Sequence, residues 1–236
     1  MHDLLASGLF DTVAVLAAAV AILVFVRWHV SNRDGWTMRR PLPKVTFGLL
    51  ALVVVVTGFF TWRHGRLEDR LSRAASTLAG FPVRVHCQDL AGQALDLSND
   101  LGSVQFNADG QPDNATLIRR EQCSALSGYL DRHGANPSPA QILAVHVLTH
   151  ETMHMRGLRD ESGAECAAVQ RDAHMASLLG ASGSDAQSLA AAYWKQNYPR
   201  LSDDYRSDQC RPSGGLDEHL PYGWPGTATA TALAAR

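Results

Sequence analysis

The chain has 236 residues, 46% of them hydrophobic and 19% charged, with a formal net charge of −2. This near-neutral balance gives no broad basic surface, which argues against nucleic-acid binding. Hydrophobic periodicity recurs along the chain and excludes low-complexity disorder for most of it. The apolar residues are unevenly spread, however. The first quarter holds two long apolar runs, and the remainder reads as a polar domain of about 170 residues, enough to bury its own core.

Leu4–Val26 is apolar except for Asp11, and Val45–Trp62 carries no charge. A bilayer core takes about 20 apolar residues as helix, so both runs are expected to span a membrane, at about 4–26 and 45–62. The start MHDLLAS has no Lys or Arg, which argues against a cleaved signal peptide. The segment 27–44 holds Arg27, Arg33, Arg39, Arg40 and Lys44, so the positive-inside rule makes it a cytoplasmic loop. Arg63, Arg66, Arg70 and Arg73 follow the second run and weaken that contrast. Cysteine usage decides the side: Cys87, Cys123, Cys166 and Cys210 all lie beyond the second run, which suits an oxidising compartment. The expectation is a multi-pass cell-membrane protein. Residues 1–62 form its anchor, 63–224 an extracytoplasmic domain, and 225–236 a mobile tail.

Within the outer domain, Leu67, Leu71, Ala74 and Leu78 repeat at helical spacing until Gly80 and Pro82 stop the helix. Strands are expected at Val83–Cys87, Ser103–Phe106 and Thr116–Arg119, the last two joined through an Asp109-Gly110 turn as a β-hairpin. Glu121–Arg132 reads as a helix ended by Gly134 and the Pro137/Pro139 pair. Pro139 then opens another helix, a favourable first position for proline. AAVQRDAHMASLL reads as continuous helix, and a further helix begins after Asp185, with Tyr193, Trp194 and Tyr198 as packing residues. The fold class is α+β, mainly helical with a small β-hairpin or sheet.

The helix opened by Pro139 contains His150-Glu151-Thr152-Met153-His154, an H-E-x-x-H sequence. Residues four apart share one helical face, so both imidazoles can reach a single Zn²⁺. Glu151 stands beside the first ligand, where a carboxylate can deprotonate a zinc-bound water. Here the chain resembles the zincin metallopeptidases, whose active-site helix carries this motif in uncharged surroundings such as VLTHETMHM. Arg156 departs from that pattern. The likeness covers about thirty residues. Within the superfamily it is best to membrane-anchored or secreted bacterial domains, over HETMHMRGLRDESGAECAAVQ and the later DQCRPSGGLD.

A catalytic zinc needs a third protein ligand, and Asp160, Glu161 and Glu165 follow the motif. HETMHMRGLRD resembles a metzincin variant with Asp160 as ligand and Gly157 at the turn, although Met175 lies in a helical stretch rather than a methionine turn. Glu161 and Glu165 instead resemble the gluzincin pattern, on one face of a helix folded back at Gly157. That pattern implies Glu161 as ligand, with Glu165 either hydrogen-bonding a ligand histidine or replacing Glu161. Asp160 and Glu165 also have structural readings, since Asp160 is a good N-cap and Ser162-x-x-Glu165 has capping-box spacing. His146 shares the motif's face but lies about 12 Å along the helix from His154, a neighbour rather than a ligand. His86, His174 and His219 carry no spacing signal.

Four cysteines allow three pairings. A Cys166–Cys210 bridge would pin the helix presenting Glu161, leaving Cys87 to join Cys123 near the hairpin. No C-x-x-C spacing supports a cysteine zinc site or redox work. The resemblance implies a membrane-anchored, zinc-dependent metallopeptidase that hydrolyses peptide or protein substrates, with Glu151 as general base and the bilayer engaged through two helices. The alternative is a non-catalytic tethered binding domain whose zinc is structural or absent.

Overall fold

The computed structural model describes residues 8–33, 44–88 and 100–227. The chain divides into two compact units, Met1–Arg66 and Leu67–Arg236. In the first, helix α1 covers Gly8–Arg33, and helix α2 begins at Lys44 and runs to Ala79. The expectation of two spans is met for one. Gly48–Ala79 contains a window apolar enough to cross a membrane with none of it buried, whereas the apolar part of α1 among the described residues is the shorter Ala19–Val30. The start of the expected first span, residues 4–7, and most of the basic loop, 34–43, lie outside the described residues. On α2, Leu49, Leu52, Val55, Phe59 and Phe60 are exposed, an apolar surface of the kind a membrane-crossing helix presents. Its hydroxyls are satisfied within the helix: Thr57 Oγ1 donates to the Val53 carbonyl (2.8 Å) and Thr61 Oγ1 to that of Thr57 (3.1 Å). The apolar run ends where Arg66 stacks on Trp62, guanidinium to ring centroid 4.8 Å, the amphipathic pairing expected at a membrane interface.

The second unit is α+β, as expected. The C-terminal part of α2 buries Leu71, Ala74, Ala75 and Leu78, and Gly80 (φ 87°) takes the left-handed conformation that stops it. Strand β1 (Arg84–Cys87) lies against this helix, whose side chains satisfy its backbone: Ser72 Oγ accepts from Val85 N (2.9 Å) and Glu68 Oε1 from Cys87 N (2.7 Å). Strands β2 (Gly102–Phe106) and β3 (Pro112–Ile118) form the expected antiparallel hairpin, turning at Asn107–Gly110. Strand β3 begins earlier and ends sooner than Thr116–Arg119, because Pro112 already pairs with Phe106 and Arg120 opens the next helix. The strand order is β1-β3-β2, with β1 parallel to β3, a non-local pairing that hairpin reasoning does not reveal.

Helix α3 (Arg120–Asp131) follows, and Cys87–Cys123 ties it to β1. Ser138 and Gln141 form a capping box at the start of helix α4 (Pro139–Met155). This is the central helix, buried continuously from Ala144 to Met155. Its threonines answer their own burial, Thr149 Oγ1 donating to Val145 O (2.9 Å) and Thr152 Oγ1 to Leu148 O (2.7 Å). Gly157 (φ 99°) reverses the chain, as its freedom at positive φ allows. Asp160 then caps helix α5 (Glu161–Val169).

The stretch expected as one helix is two: α5 ends at Val169 and α6 runs Asp172–Leu178. The break is held from outside, with Gln170 Nε2 donating to Leu216 O (2.9 Å) and Arg171 in a bidentate pair with Glu218 (2.5 Å each). Helix α7 (Gly183–Gln196) is capped by Ser182 and leads into two 3₁₀ turns, Tyr198–Arg200 and Asp203–Tyr205. Cys166–Cys210 joins α5 to the following loop, so both disulfides are the expected ones. Around this second bridge Val169, Tyr193, Tyr198 and Trp224 form a small aromatic core. Of the expected tail, residues 228–236 lie outside the described residues.

Candidate metal centre

Because α4 is buried, its polar residues must find partners, and those on one face meet α5 across the Gly157 turn. His150 Nε2 lies 2.9 Å from His154 Nε2, and Glu161 Oε2 lies 3.1 Å from the first and 3.3 Å from the second. The other ring nitrogens identify the tautomers that lone-pair donation requires. His154 Nδ1 is 2.6 Å from the Leu158 carbonyl oxygen, which can only accept, so Nδ1 carries the proton. His150 Nδ1 likewise donates to Glu165 Oε2 at 3.0 Å. With Nδ1 donating elsewhere, each Nε2 is the ring nitrogen left to face the carboxylate oxygen, as a lone-pair donor to a cation once any proton on it is displaced. Such a set repels itself unless protons or a cation stand between its members, and its donor chemistry fits a metal ion.

Two groups among the described residues have ligand atoms within 4.8 Å of one another: His150, His154 and Glu161, and His146, His150 and Glu165. These His and Glu groups, all buried except the partly exposed Glu161, could hold a metal ion. In the inner group, Glu165 Oε2 accepts from His146 Nε2 (2.8 Å) as well as from His150 Nδ1, so its lone pairs are already taken. In the outer group only protons that a cation can displace stand between the two Nε2 atoms and Glu161 Oε2, and the group borders a cleft of about 570 Å³. It is therefore the better cation site.

The expected residues divide accordingly. His150, His154 and Glu161 converge, and Glu165 stands one layer behind, hydrogen-bonded to His150. Asp160 is withdrawn from the site as the α5 cap, accepting from Gly163 N at 2.7 Å. Glu151 faces the cleft, 5% exposed, and its Oε2 has no hydrogen-bond partner among the described residues. Its methylene and carboxyl groups rest on Gly102 of β2, where a Cβ atom would come within 2.7 Å of Glu151 Cγ. The cleft is walled by Leu101, Val104 and Phe106 from the hairpin, Leu143 and Val147 from α4, and Tyr205 from the second 3₁₀ turn.

The electrostatics follow from this packing. Burial pushes the Glu151 carboxyl up to about 7, against the attraction of His150 and His154. Hydrogen bonds from His150 and His154 hold Glu161 down at about 2. Burial disfavours charge on His150, yet Glu161 and Glu165 hold its imidazolium up to about 9. His146 is also buried, but Asp172 and Glu165 together raise it to about 10.

Gly102 and Tyr205 carried no signal in the sequence, because each reaches the cleft through non-local packing. The Tyr205 ring stands 5.9 Å from that of His150, centroid to centroid. Tyr193, expected as a packing residue, is buried and also donates its hydroxyl proton to Glu165 Oε1 at 2.8 Å. The chain matches no protein-family model, no curated protein and no solved structure.

Proposed function

We propose that this chain is a membrane-anchored zinc metallopeptidase of the gluzincin type, with His150, His154 and Glu161 as ligands. The observation that carries this reading is the convergence of those three donor atoms at a cleft, beside the buried Glu151 carboxylate, whose Oε2 has no partner among the described residues. Three protein ligands leave a fourth position open, the arrangement of catalytic rather than structural zinc. When bound, zinc supplies Lewis acidity to a substrate carbonyl and lowers the pKa of water in that position.

The chain's own residues do the rest. Glu151, poised near neutrality by burial, takes a proton at its carboxylate and passes it to the leaving amine. Among the described residues β2 has a sheet partner on one side only, and its other edge offers an extended peptide backbone-pairing groups next to Glu151. The apolar walls accommodate an apolar side chain. The α2 span supplies the anchor, and two disulfides support an extracytoplasmic domain.

The test is Glu151→Gln in the full chain, assayed on a peptide library with zinc measured alongside. We expect hydrolysis to fall at least about 10³-fold while one zinc per chain is kept. Wild-type hydrolysis by this variant would overturn the reading.

A further inference from the structure

We infer that His146 and Asp172 are positioning residues that act through Glu165 to fix the orientation and tautomer of His150. This rests on the metal-centre reading above and extends it one layer inward. His146 Nδ1 is 2.9 Å from Asp172 Oδ2 and its Nε2 is 2.8 Å from Glu165 Oε2, so the ring is gripped at both nitrogens. The same Glu165 oxygen receives His150 Nδ1 at 3.0 Å, and the other receives the Tyr193 hydroxyl at 2.8 Å. Tyr193 also stacks on His146, with centroids 3.5 Å apart and planes 10° from parallel. The chain Asp172–His146–Glu165–His150 thus draws on α6, α4 and α5, and α7 clamps it from the side.

A stability role is a poor explanation for this arrangement. His146, Glu165 and Asp172 are each no more than 2% exposed, and burying three ionisable groups costs more than filling the space with apolar side chains. What the network achieves is geometric. A lone carboxylate behind His150 could rotate about its last torsion, but Glu165 is held at one oxygen by His146 and at the other by Tyr193. His150 Nδ1–H then has a single well-placed acceptor, which leaves Nε2 aimed at the cleft. The break between α5 and α6 is part of the device, because α6 starts at Asp172, the residue that reaches His146. In the sequence the device reads as His146 one turn before the H-E-x-x-H motif, with an Asp seven residues after Glu165.

The experiment compares the full-length wild type with His146→Leu, His146→Gln and the near-isosteric Asp172→Asn. Zinc affinity is read by chelator competition and ligand geometry by the visible absorption of the cobalt(II)-loaded proteins. We expect His146→Leu and Asp172→Asn to bind zinc about 10–100-fold more weakly, with shifted cobalt bands. His146→Gln, whose amide N–H can still donate to Glu165, should recover part of the loss, which general loss of packing would not produce. Asp172→Asn keeps shape and volume, so it remains informative if His146→Leu fails to fold. Wild-type affinity and cobalt spectrum in Asp172→Asn and the foldable His146 variants would overturn the inference while leaving the metal centre standing. A wild type that binds no zinc would overturn both.

Discussion

Gly102→Ala probes the junction between the sheet and the proposed general base. A Cβ at this position would sit 2.7 Å from Glu151 Cγ, 2.8 Å from Oε1 and 2.9 Å from Cδ. Carbon contacts relax at about 3.5–4.0 Å, so the Glu151 side chain must retreat by roughly 1 Å. The flexible end of the side chain can make this shift into the cleft it borders, away from its packed position on β2. A displacement of that size from a reactive geometry costs on the order of 10²-fold in rate. The strand should not suffer, because Gly102 lies outside the positive-φ region, and alanine there gains roughly 0.5 kcal/mol through the unfolded chain. The three atoms nearest the added methyl group all belong to Glu151 rather than to His150, His154 or Glu161, so zinc binding should persist. The expected outcome is kcat/KM down about 100-fold on a fluorogenic peptide, with unchanged zinc content and an unchanged or slightly raised Tm. Wild-type kcat/KM in this variant would refute the claim that β2 positions Glu151.

Zinc affinity should depend on pH in a defined direction. The metal must displace the Nε2 proton of His150, which Glu161 and Glu165 hold up to about 9. Chelator competition should therefore show affinity rising about tenfold per pH unit while the pH is below about 9, then levelling. A flat profile between pH 6.5 and 8.5 would contradict the assigned ligand. The two disulfides should behave differently. Replacing both cysteines of either pair by serine removes a bridge across 36 or 44 residues and should cost about 4 kcal/mol of unfolding free energy in denaturant. Only loss of Cys166–Cys210 should also weaken zinc binding, because Cys166 lies on the helix that carries Glu161 and Glu165. Equal effects of the two pairs on zinc would contradict this.

Local signals carried most of the site. The four-residue spacing of His150 and His154, the turn at Gly157, the Asp160 cap and the Glu161/Glu165 stripe all depend on helix geometry alone, and a periodic sequence states that geometry directly. What was hidden depends on tertiary packing. The partnership of Asp172 with His146 requires the break at Gln170–Arg171, which is imposed by Leu216 and Glu218 from a loop more than 40 residues away. Strand β1 joins the sheet in parallel across the length of the hairpin, a pairing with no turn to announce it. Gly102 and Tyr205 enter the cleft from opposite ends of the domain's sequence. At the N-terminus, hydropathy read two spans, but among the described residues only α2 combines sufficient length with sufficient apolarity.

The proposed metal centre is one zinc ion on His150, His154 and Glu161 with a position left for water. Zinc K-edge absorption or anomalous diffraction on the zinc-loaded chain tests it most directly. Two imidazole nitrogens and one carboxylate oxygen should lie at about 2.0–2.2 Å from the ion, completed by a solvent oxygen. A site closed by four protein side chains, a zinc ion held elsewhere, or no bound zinc would contradict it.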